Sequence, residues 1–203
     1  MKFLLAISRL IDALNERVGR TVLWLTLVVV LVSAGNAIVR KVFHTSSNAW
    51  LELQWYLFGA IFLLAAGYTY LRNEHVRVDV LSSRFPKRVQ VYIEIFGIVF
   101  FIFPVSALIF WLSLPYFYES FRLQELSSNT GGLIRWPAKL LIPVGFALLI
   151  LSGVSRLIQC VAFLMGRGPN PLAPVQTKSA EEELAEEIKR NAEQRINGGA
   201  QGH

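Results

Sequence analysis

Residues 21–39 read TVLWLTLVVVLVSAGNAIV, nineteen consecutive positions without a charged side chain. At a helical rise of ~1.5 Å per residue such a stretch reaches ~28 Å, close to the ~30 Å hydrocarbon thickness of a bilayer. Residues 53–71, LQWYLFGAIFLLAAGYTYL, repeat both the length and the absence of charge. A third block, Ile95–Tyr118, runs for twenty-four uncharged residues, with Pro104 predicting a bend and Pro115 a loosened end. The fourth, Leu140–Leu164, is interrupted by Arg156. A soluble all-α core would need a polar coat around four such helices, and a chain of 203 residues leaves too little for one. The blocks therefore predict a four-helix transmembrane domain over residues 19–166.

Composition points the same way. Hydrophobic residues make up 54% and charged residues 17%, against roughly a quarter charged in soluble proteins. This excludes disorder, collagen-like repeats and a disulfide-stapled module, and Cys160 has no second cysteine to pair with. The net charge of +6 does not call for nucleic acid, because most of the basic residues flank the apolar spans. Fourteen lie before span one, between spans two and three, or after span four; five (Arg40, Lys41, Arg122, Arg135 and Lys139) lie on the other side. The positive-inside rule then places both termini in the cytoplasm. Trp50, Trp55, Trp111 and Trp136 fall near the span ends on one side and Trp24 near the other, as expected of interfacial aromatics.

Ahead of span one, Phe3, Leu4, Ile7, Leu10, Ile11, Leu14 and Val18 recur at three- and four-residue intervals, with Ser8, Arg9, Asp12, Asn15 and Glu16 on the other face. This pattern predicts a separate amphipathic helix over residues 1–18, lying along the inner membrane surface. A signal peptide is the competing reading, but Arg9 cuts its apolar run short. The expected fold class is thus an all-α membrane protein: four transmembrane helices preceded by an N-terminal amphipathic interfacial helix. Residues 167–203 form a polar cytoplasmic tail, with a short exposed helix expected over Ala180–Arg195.

Recognisable catalytic chemistry is absent from the pattern. His44, His75 and His203 are far apart, and no phosphate loop, paired-cysteine motif or nucleophile elbow occurs. The polar residues at the spans are more informative. Asn36 and Arg40 share a face near the outer end of span one, and an ion pair from Arg40 to Glu52 across the first hairpin is one expectation. The other is that both sit in the headgroup region. Arg156 enters span four eight residues before its end, where a charge is costly unless paired or snorkelled; Glu94 is one candidate partner. Gly67, Gly145 and Gly153 are positions where helices can approach closely. Ser127-Ser128-Asn129-Thr130-Gly131-Gly132 reads as a flexible outer turn.

The order of these residues resembles the small permease subunit (DctQ-like) of tripartite ATP-independent periplasmic (TRAP) transporters over roughly residues 15–160. The likeness rests on Asn15-Glu16, Asn36 and Arg40 upstream of Phe43, then Trp50, Glu52, Leu53, Tyr56 and Gly67. It continues through the run His75-Val76-Arg77-Val78-Asp79, then Gly131-Gly132 and Ile142-Pro143. The resemblance implies a complex in the bacterial inner membrane with a large multispan permease subunit and a periplasmic solute-binding protein. That complex would import an organic solute, commonly a carboxylate, with sodium coupled through the large subunit and no cofactor in this chain.

On that reading Asn36, Arg40, Glu52 and Trp55 brace the outer first hairpin. His75, Arg77 and Asp79 fix the inner loop against protein or lipid headgroups, and Ser127–Gly132 contacts the binding protein or remains an intramolecular or lipid-facing loop. The alternative function is a membrane anchor or assembly subunit of an unrelated complex, its haem-binding version disfavoured by the absence of histidine from the spans.

Overall fold

The computed structural model describes residues 2–44, 47–72 and 85–172, all within one compact unit, Met1–Ala173. Among the described residues there are four helices: α1 (Lys2–Phe43), α2 (Asn48–Leu71), α3 (Lys87–Arg122) and α4 (Trp136–Leu164). Each is long and apolar enough to cross a membrane. α4 touches the other three helices; α1 and α2 pack on each other and on α4, and α3 packs on α4. One end of the bundle, the loop end, carries the α1–α2 and α3–α4 connections. The other, the terminal end, carries the start of α1 and the ends of α2 and α4. The tail helix expected over Ala180–Arg195 lies outside the described residues.

The separate surface helix expected over residues 1–18 does not exist. Residues 2–43 form one unbroken helix, so the first of the four helices begins where the interfacial helix was expected. No proline interrupts the segment, and its first glycine, Gly19, serves a contact instead of a break: a Cβ there would stand 2.6 Å from Cδ2 of the Tyr68 ring of α2 and nearer still to its Cγ. The faces also depart from the expectation, although Ile11 is buried and Arg9 exposed as the pattern predicts. Ser8 and Asn15 are buried, while Phe3 is 75% and Leu10 72% exposed. Ser8 turns inward to a hydrogen-bond partner on α4, Ser155, and an apolar exterior is what a membrane tolerates. Ser8, Asn15, Val22 and Val29 are all buried at seven-residue steps, so a single contact stripe runs straight through the expected boundary.

α3 shows the same inside-out logic. Its buried positions are Val91, Ile98, Ser106, Ser113 and Ser120. They are seven apart except for one eight-residue step, and that step spans a π-helical turn, Ile98–Ile102. Pro104 lacks the N–H that would bond the Phe100 carbonyl, so the ladder opens there. The wide turn takes up one extra residue. The insertion keeps two seven-residue stripes on the same face of α3. The serines let α3 approach α4 closely while Phe100, Phe101, Leu108 and Trp111 remain exposed. Where the helices cross, a Cβ on Gly145 would lie 2.8 Å from the Leu63 carbonyl of α2, and one on Gly153 2.8 Å from the Phe103 ring of α3.

Candidate functional site

At the loop end, Glu52 lies in the first turns of α2 and is only 4% exposed. Its carboxylate gathers the α3–α4 connection. Oε1 accepts from the Ser127 hydroxyl and, at 2.8 Å, from Asn129 Nδ2; Oε2 accepts from the Leu133 N–H at 2.7 Å. The connection is shaped to deliver those donors. Leu126 and Ile134 form an antiparallel bridge, and the Ser127 N–H donates to the Leu133 carbonyl at 3.0 Å. Gly131 takes φ +72°, which favours glycine, and a Cβ on Gly132 would lie 2.8 Å from Glu52 Oε1. Asn48 Nδ2 adds a bond to the Thr130 carbonyl at 2.9 Å, and Arg135 Nη2 donates to the Ser128 hydroxyl at 3.4 Å.

Beside this loop, Glu125 binds the Lys139 ammonium and, at 3.4 Å, Arg135 Nη1. The hydrogen bond from Lys139 is the main reason its carboxyl is held below the ordinary glutamate value. Lys139 also sits over the Tyr116 ring, 4.0 Å from its centroid. This polar cluster is an addition to the residues singled out from sequence.

Several of those residues are not brought together. Glu52 is turned to the loop, and the Arg40–Glu52 ion pair does not form. Asn36 and Arg40 instead line a groove with Ser33, Lys41, His44 and Gln54. Trp55 is 64% exposed. His75, Arg77 and Asp79 lie outside the described residues.

At the terminal end Arg156 is 2% exposed. Its guanidinium caps α2 from the side: Nη2 donates to the Tyr70 and Leu71 carbonyls at 3.1 and 2.9 Å, and Nη1 to the Pro171 carbonyl. The last carbonyls of a helix lack intrahelical donors and carry partial negative charge, so a cation suits them. The Tyr70 phenol donates to Glu94 Oε1 at 3.0 Å, and the Arg156 guanidinium lies over the same ring, 5.8 Å from its centroid.

A second network joins α1 to α4 nearby. Gln159 Nε2 donates to Asp12 Oδ2 at 2.8 Å and to Ser8 Oγ at 3.1 Å; the Ser155 hydroxyl donates to Asp12, and Ser8 and Ser155 share a 2.7 Å bond. Glu16 binds Arg20 at 2.9 Å and Arg72 at 3.0 Å. The signal for this α1–α4 network is Ser8 and Asp12 on one helical face of α1 and Ser155 and Gln159 on one face of α4.

The fold and these contacts define a multi-pass membrane subunit whose polar side chains knit its own helices and loop. Among the described residues, no three histidine, cysteine, aspartate or glutamate side chains converge as a metal site would require. Residues 29–163 match the family model described as tripartite ATP-independent periplasmic transporters, DctQ component. The match covers more than half of the chain, and the chain belongs to that family: it is a small membrane subunit of a TRAP transporter. No curated protein and no solved structure matches it.

Proposed function

We propose that this chain is the static scaffold of a sodium-coupled TRAP transporter in the bacterial inner membrane. It holds the large multispan permease subunit, which carries the sodium and solute sites, while a periplasmic binding protein delivers an organic solute, a carboxylate by class. The chain itself is neither an enzyme nor a cofactor carrier. The observation that carries the reading is what its buried charges bind: Glu52 takes loop donors and Arg156 takes main-chain carbonyls. Charges tied to the chain's own backbone and loop suit a brace more than a permeation path.

The basic-residue bias supports cytoplasmic termini, which puts the loop end on the periplasmic side. There the Ser127–Gly132 turn, pinned by Glu52 and Asn48, is proposed to offer the binding protein a preformed surface. Glu94 is assigned to packing within the chain, and His75, Arg77 and Asp79 to anchoring the inner loop.

Affinity purification of the tagged chain in mild detergent tests the assignment. A stoichiometric multispan permease is the expected co-purifying subunit. Recovery of redox subunits with no permease would instead make the chain a membrane anchor of an unrelated complex.

A further inference from the structure

Ser33, Asn36, Ala37, Arg40 and Lys41 of α1, His44 just beyond it, and Gln54 of α2 line an open groove of about 520 Å³ at the loop end. Its floor is fixed by hydrogen bonds: the Ser33 hydroxyl donates to Gln54 Oε1 at 3.1 Å, and Gln54 Nε2 to the Trp50 carbonyl at 3.2 Å. Arg40 and Lys41 form no ion pair with a carboxylate among the described residues. Basic residues in a last turn complement the negative end of a helix. These two also open onto a groove that supplies the Asn36 amide and the His44 imidazole as further polar contacts.

Moving along both helices toward the middle of the bundle, the surface becomes apolar. Val30 precedes Ser33 by three residues and Ala37 by seven, and is 56% exposed. Phe58 and Phe62 follow Gln54 by four and eight residues, and are 56% and 78% exposed. Trp50 and Trp55 are exposed in the same first turns of α2, the depth favoured by interfacial aromatics.

We propose that this groove binds an anionic phospholipid. The phosphate lies against Arg40 and Lys41, and the acyl chains run along Val30, Phe58 and Phe62. A soluble anion would leave the apolar half of the surface uncovered, and a zwitterionic lipid would leave the two cations without net compensation. The proposal rests on the membrane reading and not on the transporter role.

The test is native mass spectrometry of the full-length chain, delipidated in detergent and titrated with phosphatidylglycerol or phosphatidylcholine. Wild type is expected to retain phosphatidylglycerol preferentially. Surface cations contribute about fivefold each to anionic-lipid binding, so Arg40→Gln with Lys41→Gln should weaken retention roughly twenty-five-fold. Arg9→Gln with Arg17→Gln, which removes two exposed cations at the terminal end, should leave it unchanged. Equal retention of the two lipids, or an equal loss in both double variants, would overturn the proposal.

Should the Arg40/Lys41 variant not fold, wild-type retention of phosphatidylglycerol must fall as salt rises, and a flat salt response counts against the site. In the intact complex, an Ala37→Cys cross-link to a protein subunit with no retained phosphatidylglycerol would assign the groove to that subunit and reject the lipid.

Discussion

The two ends of α2 are held by buried groups of opposite charge. At the loop end, Glu52 of α2 itself collects donors from Ser127, Asn129 and Leu133. At the terminal end, Arg156 of α4 meets the carbonyls of Tyr70, Leu71 and Pro171. In these contacts each charge is met by oriented dipoles, so the geometry of the donors and acceptors matters. The difference lies in what is held. Glu52 folds a connection onto a helix; Arg156 fastens one transmembrane helix to another. The first controls local order in the loop, the second the stability of the bundle.

That contrast can be broken most forcefully at Arg156. Replacing Arg156 by Leu strips its donors from three carbonyls, and a loss of about 3–5 kcal/mol is expected. Thermal unfolding in detergent would record it, and Arg156→Lys, which keeps the charge but not the fork, should recover only part. Next comes Gly67, between the two ends, where a Cβ would stand 2.9 Å from Ser152 Oγ and 3.1 Å from the Leu148 carbonyl. Gly67→Ala should cost about 1–3 kcal/mol by overpacking, read by the same melt.

Glu52→Ala should behave differently. A cysteine introduced at Thr130 should react with a soluble maleimide on the order of tenfold faster once the loop is released, while the unfolding temperature falls less than with Gly67→Ala. A large global loss with an unchanged labelling rate would erase the distinction between the two ends.

The smallest expected effect is at Glu125. Its carboxyl is held below the ordinary value chiefly by the hydrogen bond from Lys139, so its folded form binds a proton less readily than the unfolded chain. Its stabilisation is therefore complete above about pH 4.3, the unperturbed glutamate value. It is lost as pH falls through the lower folded value. Unfolding curves of wild type and Lys139→Met should differ slightly at neutral pH and converge in acid.

The apolar blocks were readable because lipid-compatible length and lack of charge are local properties. What lay between them was harder. Amphipathic periodicity over residues 8–16 marks a two-faced helix without saying which face is solvated. In a membrane bundle Ser8 and Asp12 find Ser155 and Gln159, and Phe3 turns outward. The seven-residue spacing of positions 8, 15, 22 and 29 was the available clue that the helix ran on. Glu52 stood out in the sequence, but its partners did not, since the loop's closure onto α2 depends on Gly131 and Gly132 turning the chain. The eight-residue step from Ile98 to Ser106 makes sense only with the π turn ahead of Pro104.

The most direct test of the scaffold account is sodium-driven solute uptake in proteoliposomes, normalised to the amount of intact complex, for Glu52→Gln and Arg156→Lys. If these residues brace the assembly, the yield of complex falls while uptake per assembled complex stays near wild type. A normal yield of complex with uptake lost, or lost for one solute alone, would contradict the account and place these charges on the transport path.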